Sequence, residues 1–236
     1  MDKNTSQRIK ILLFDKCLVS RHNVDIMDMN KWYASLPGNE FDYLALMGAL
    51  KAYKRPRDKV TTLLHRGNII RAKKGIYALG PGFCTGAVSR EVLGNLIYGP
   101  SYLSLEYALS FHQLIPERVE TVTSITLHKS KSFATPLGNF TYRHVKTAYY
   151  SLGQCIRLLP DGRGFILAFP EKAISDKVYF STGLQSLSDL EAYLFSDLRI
   201  DREDFARLDS AFFQELAAIE GKQSMRLLAE LARGYA

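Results

Sequence analysis

The sequence holds few of the residues that announce a special chemistry. Its three cysteines, Cys17, Cys84 and Cys155, are widely spaced and form no CxxC pair, so neither a zinc ribbon nor a disulfide framework is expected. Five histidines, at positions 22, 65, 112, 128 and 144, never fall at HxxxH or HExxH spacing. No helix face therefore carries two imidazoles, and no metal or cofactor is expected. No apolar run approaches the ~18 residues of a membrane span. The basic opening stretch has an apolar core of only Ile9 and Ile11 to Phe14, broken by Asp15 and without a small-residue cleavage site; reduced thiols in a cytoplasm are expected rather than secretion. A Walker loop and GxSxG are both missing, and Gly162-Arg163-Gly164 lacks the third glycine of a dinucleotide fingerprint.

What is present is a folded chain of 236 residues, 47% hydrophobic and 23% charged, enough for one large domain or two modest ones. Its charge of +7 is unevenly placed. Between Lys51 and Lys74, nine lysines and arginines face the single acid Asp58, whereas residues 171–236 hold eight basic and twelve acidic residues. Such asymmetry suggests a nucleic-acid-binding unit joined to something else, against the plainer reading of a solvated basic face.

The pattern along the chain favours the first reading. Residues 1–30 show no sustained period and read as a mobile arm or a leader upstream of a start at Met27 or Met29. Leu36-Pro37-Gly38-Asn39 reads as a turn, and Leu44, Leu46, Met47 and Leu50 give the next stretch a buried helical face. Pro56 suits the first turn of a second helix. In it Val60, Leu63 and Leu64 form an apolar stripe opposite Asp58, Thr61, Thr62 and His65, and Gly67 ends it. Ile69 to Leu79, with Lys74-Gly75 at the centre, reads as a hairpin. Helix, short turn, polar-faced helix and basic hairpin are the order of a winged helix-turn-helix over residues 31–80. In that arrangement Thr61, Thr62, Arg57 and His65 face base edges, Lys73 and Lys74 at the hairpin tip meet phosphates, and Arg55, Lys59, Arg66 and Arg71 complete a duplex-DNA-binding surface.

GPGFCTG then reads as a linker into a second, near-neutral domain over residues 83–236. Val88, Val92, Leu93, Leu96 and Ile97 form one helical stripe. Ser104 is a suitable N-cap for the next helix, with Glu106 in its first turn. From Val119 the period shortens to antiparallel strands, GFILAFP adds another, and four helical segments close the chain; the fold class is α+β. The cluster Glu171, Lys172 and Asp176 has the acid and lysine of a metal-dependent nuclease, but the i, i+4 spacing of Lys172 and Asp176 reads better as a helical salt bridge.

Four strings, GNIIRAKKGIYALGPG, VSREVLGNLIYGPSYLSLEYALSFHQLIPERVETVTSIT, PLGNFTYRHVK and FPEKAISDKVYF, resemble the antitoxin component of AbiEi-type (type IV) toxin–antitoxin systems across roughly residues 65 to 200. The resemblance implies a bacterial DNA-binding autorepressor whose C-terminal domain counters a nucleotidyltransferase-type toxin; from the motifs and the lack of a long apolar run, neither enzymatic activity nor a membrane partner is expected. The resemblance places Pro100, Ser101, Tyr102, Ser104, Leu105, Glu106, Ala108, Glu171, Lys172 and Asp176 at family positions. Two other classes compete: a DNA-targeted nuclease or nucleotidyl-processing enzyme, and a solitary ligand-sensing regulator. A toxin gene next door, or magnesium-dependent cleavage lost in Glu171→Ala, would tell the first two apart.

Overall fold

The computed structural model describes Trp32, residues 34–84 and residues 86–235; the arm or leader expected over residues 1–30 lies outside them. The chain is a mixed α+β fold with two sheets. The first element wholly within the described residues is a short strand that periodicity did not reveal, β1 (Glu40–Asp42), followed by α1 (Tyr43–Ala49), α2 (Pro56–His65), β2 (Ile69–Lys73) and β3 (Ile76–Leu79). Strand β1 pairs antiparallel with β3, giving a three-stranded sheet in the order β1-β3-β2.

Asp42 ends β1 and caps α1, its carboxylate accepting the Ala45 N–H at 2.8 Å. This start shortens the helix and leaves Leu44, expected in the buried face, 78% exposed, whereas Leu46 and Leu50 are fully buried. In α2, Val60 and Leu63 are buried as expected. They join Trp32, Phe41, Ile69, Tyr77 and Leu79 in one hydrophobic cluster. The start of the expected linker is a turn folded onto the hairpin: the Gly80 N–H donates to the Asn68 carbonyl at 2.8 Å. A Cβ at Gly80 would lie 1.9 Å from the Gly67 carbonyl oxygen, so only glycine permits this approach.

The second unit contains α3 (Arg90–Ile97), β4 (Ser101–Leu103), α4 (Leu105–Phe111), β5 (Val122–Thr126), β6 (Lys131–Thr135), β7 (Gly138–His144), α5 (Thr147–Tyr150), β8 (Gln154–Leu158), β9 (Gly164–Ala168) and α6 (Pro170–Phe180). It closes with α7 (Leu187–Glu191), which runs into a π-helical turn over Ala192–Asp197, then α8 (Arg202–Ala206), α9 (Ser210–Glu220) and α10 (Gln223–Tyr235). A break at Leu208-Asp209 splits one expected helix into α8 and α9, because Asp209 caps the second, accepting from the Ala211 N–H.

The six-stranded sheet has the order β6-β7-β5-β4-β9-β8. It is mixed rather than antiparallel: β5 runs parallel to β7, and β4 parallel to β9. The reason lies in the β6–β7 hairpin. Strand β7 carries the buried Phe140 and Tyr142 and takes the inner place beside β5, while the polar KSFAT of β6 goes to the edge. Strands β4 and β8 escaped the periodicity reading, β4 because a three-residue strand buried on both faces shows no alternation.

Candidate nucleic-acid interface

Helix α2 packs by its apolar stripe and presents the opposite side to solvent. Arg57, Thr61 and His65 recur every four residues along that side, and all three are exposed, as are Arg55, Thr62 and Arg66. The two threonine hydroxyls donate back to the carbonyls of Arg57 and Asp58, at 3.4 and 3.0 Å. Their methyl groups and oxygen lone pairs remain accessible. Arg55 pairs with Asp58 at 2.7 Å, so the one acid of the basic window is already neutralised, and Lys59 lies 4.8 Å from the centre of the Tyr53 ring. Arg71 and Lys74, on the hairpin, are exposed; among the described residues no carboxylate pairs with either.

Lys73 is a correction. It was expected beside phosphates, yet its ammonium turns inward to the second unit, donating to the Ile97 carbonyl at 2.9 Å. It lies 4.9 Å from the Phe133 ring centre and 5.6 Å from that of Tyr98. Burial, with the nearby Lys131 charge, holds its pKa below the ordinary lysine value. The ladder slips between Arg71 and Lys73, and an irregularity of that kind re-aims a side chain that strict alternation would have kept on the Arg71 face.

A second clamp involves residues that sequence reasoning missed. Glu40, in β1, has a fully buried side chain. One of its oxygens accepts the Ser89 N–H and the other the Arg163 guanidinium. Arg163 also bonds Asp161 and the Ala87 carbonyl, and Asn39 donates to the Gly86 and Ala87 carbonyls. The three-stranded sheet is thus held to the second unit from β2 by Lys73 and from β1 by Glu40. No pattern signals this: a glutamate between Asn39 and Phe41 looks like any surface acid.

Seven of the ten family positions, Ser101, Tyr102, Ser104, Leu105, Ala108, Lys172 and Asp176, are buried in the second unit, whereas Pro100 is exposed and Glu106 and Glu171 are half-buried. Pro100, joined to Gly99 by a cis peptide, leads into β4, where Ser101 and Tyr102 are buried. Ser104 occupies the N-cap of α4 but does not cap with its side chain. Its hydroxyl donates instead to Asp176 Oδ2, which also accepts from the Tyr102 hydroxyl at 3.2 Å. The expected capping role falls to Thr123, whose oxygen accepts the Tyr107 N–H at 3.1 Å while its proton goes to the Ser104 carbonyl. Leu105 takes a positive φ of 56°, and Ala108 is buried on the inner face of α4.

Lys172 and Asp176 form the expected i, i+4 pair at 3.3 Å, with neither side chain exposed. The ammonium also donates to the Tyr149 carbonyl at 2.9 Å and sits 3.0 Å from that ring's centre. Burial, opposed by the Asp176 charge, brings the Lys172 pKa down to about 8. Burial and the same carboxylate hold Tyr102 and Tyr149 well above the ordinary phenol value. Glu171 points elsewhere, accepting the Asp209 N–H at the start of α9, and Glu106 pairs with Lys177 at 2.6 Å. The acid and lysine of the nuclease reading are therefore separated, one pair sealed from solvent and the other carboxylate engaged in helix packing.

Among the described residues no cluster of three His, Cys, Asp or Glu could hold a metal ion, and no helix is long and apolar enough to cross a membrane. In comparisons with protein-family models and with curated proteins, the sequence matches none.

Proposed function

We propose that this chain is a duplex-DNA-binding autorepressor of winged helix-turn-helix type, cytoplasmic, non-enzymatic, and the antitoxin to a nucleotidyltransferase-type toxin. The observation that carries the DNA reading is the exposed side of α2. There Arg57, Thr61, Thr62 and His65 stand clear of the core beside Arg71 and Lys74 of the hairpin, and the only acid of that basic window is spent on Arg55. A helix with a small, polar, cationic outer face is what a major groove admits, and flanking cations on a hairpin suit phosphates. Arg55, Lys59 and Arg66 add to the field around it.

The antitoxin part rests on the resemblance. The segments PSYLSLEYAL and PEKAISD, which lie within two of the strings that carry it, supply the partners of one buried network through Tyr102, Ser104, Lys172 and Asp176. In this reading those positions keep the second unit folded, and toxin contact is made by surface residues outside them. The test has two parts. Purified full-length protein should shift duplex DNA from upstream of its own reading frame in preference to a scrambled duplex. Co-expression with the adjacent reading frame should restore growth that the neighbour alone arrests. A protein that binds neither duplex, or a neighbour that is harmless, overturns the corresponding half.

A further inference from the structure

Among the described residues, nothing covers one end of the second unit's sheet. Helix α4 packs on β5 and α6 on β9, but beyond them the β5–β7–β6 face lies open as a groove of about 860 Å³, the size of a small-molecule site. Its floor is hydroxylic where a half-covered sheet face is ordinarily aliphatic. Ser132, Thr141 and Thr123 stand opposite one another across three strands, with Thr121 beside them. Thr123 is spent on Ser104 and Tyr107; among the described residues the hydroxyls of Thr121, Ser132 and Thr141 make no hydrogen bond.

At one side the Arg143 guanidinium rests on the Phe180 ring, 5.0 Å from its centre, with no carboxylate in salt-bridge contact among the described residues. The one acid among the described residues lining the groove, Glu106, pairs with Lys177 at 2.6 Å and also lies within reach of the Arg143 charge; against the effect of burial, Lys177 and then Arg143 help hold its pKa down. Leu105 and Val119 give the remaining wall an apolar stretch, and Ser130 and Lys131 line the groove where β6 begins.

We propose that this groove binds a nucleoside monophosphate, its phosphate on Arg143, its sugar on the free hydroxyls of Thr141, Ser132 and Thr121, and its base against Leu105, Val119 and Phe180. A guanidinium presents paired N–H donors that match phosphate oxygens, hydroxyls both donate to and accept from a sugar, and a flat apolar base fits the remaining wall. Sugar phosphates share part of this chemistry but leave the apolar wall empty. The site is independent of the DNA reading, since none of its residues lies on α2 or the hairpin.

The test is calorimetric titration of the full chain with the four common ribonucleoside monophosphates, the parent nucleosides, ribose 5-phosphate and inorganic phosphate. At least one monophosphate is expected to bind saturably, and more tightly than its nucleoside, ribose 5-phosphate or phosphate. Arg143→Gln should weaken it about tenfold or more, as loss of a charge-assisted bond does, and Thr141→Val by a smaller factor. Both residues are at least partly exposed, so thermal unfolding and duplex binding should stay at wild-type values, which separates this site from the DNA interface. Four monophosphates without saturable binding overturn the proposal. So does binding that survives Arg143→Gln, or an Arg143-dependent affinity for single-stranded oligonucleotides with none for mononucleotides.

Discussion

The outer side of α2 and the inner side of α6 are both built from charged and hydroxyl residues, and they are put to opposite uses. On α2 Arg57 and His65 are exposed, Lys59 is half-buried, and the one acid is already matched. On α6 a lysine and an aspartate share the core with two tyrosines and a serine, and neither charged side chain is exposed. Side-chain type does not separate these regions; solvent does. Exposed charge is free to meet a polyanion, whereas buried charge is tied to its partners because leaving it unpaired costs several kcal/mol. Lys73 and Lys74 repeat the contrast within two adjacent residues, one clamped to the second unit and one exposed.

The largest expected effect breaks the buried side of the comparison. Lys172→Met strands Asp176 in the core and should cost about 3–5 kcal/mol in denaturant unfolding. Lys172→Met with Asp176→Asn removes both charges yet keeps an oxygen for Ser104 and Tyr102, so it should recover much of that loss. A double variant no more stable than the single would mean that charge balance is not what holds the cluster.

Next in size is the clamp between the two sheets. Glu40→Gln should lose about 1.5–3 kcal/mol, the range for hydrogen bonds to charged groups, and Arg163→Gln a similar amount. Combined, they should cost less than the sum of the two, since they share one interaction. Additive losses would place the two residues in separate roles. Lys73→Met should cost about 1–2 kcal/mol through its lost carbonyl bond and ring contacts, and Lys74→Met almost nothing.

A smaller effect follows from titration. The folded pKa of Lys172 is about 8, below its ordinary 10.5, so above pH 8 the unfolded chain binds more protons than the folded one. Stability should therefore rise with pH through that window, because the neutral amine, unlike methionine at this position, still offers donors to Asp176 and the Tyr149 carbonyl. The rise should end near pH 10, where unfolded tyrosines ionise while Tyr102 and Tyr149 keep their protons in the folded state. Unfolding curves between pH 8 and 10 should show the increase in the wild type and a weaker one in the Lys172→Met/Asp176→Asn variant. An equal rise in both would assign it to other groups, Lys73 first.

Local patterns carried much of this architecture, and long-range pairings carried the remainder. The stripe Val60, Leu63 and Leu64, the Lys74-Gly75 turn and the i, i+4 spacing of Lys172 and Asp176 are relations within a few residues, readable from periodicity alone. Strand β1 depends on β3, nearly forty positions on, and β4 gains its place from Ser124 and Leu167. The Ser104 hydroxyl would cap α4 in an isolated peptide; Asp176, far along the chain, offers a charged acceptor and takes it. The inward turn of Lys73 needs a ladder slip and a carbonyl from another unit, neither of which has a sequence signature. Of the interface, the exposed face of α2 was legible and the identity of the free hairpin lysine was not.

The most direct test of the central claim is the salt dependence of duplex binding, measured for the wild type and for Arg57→Ala, Lys74→Ala and Lys73→Ala against upstream and scrambled DNA. The slope of log affinity against log salt should fall by about 0.9 for each phosphate contact removed. Arg57→Ala and Lys74→Ala should each show that decrease, and Lys73→Ala should leave the slope unchanged. Equal decreases for Lys73 and Lys74, or a duplex affinity indifferent to Arg57 and Lys74, would contradict the assignment of the exposed α2 face and the hairpin tip as the DNA-binding surface.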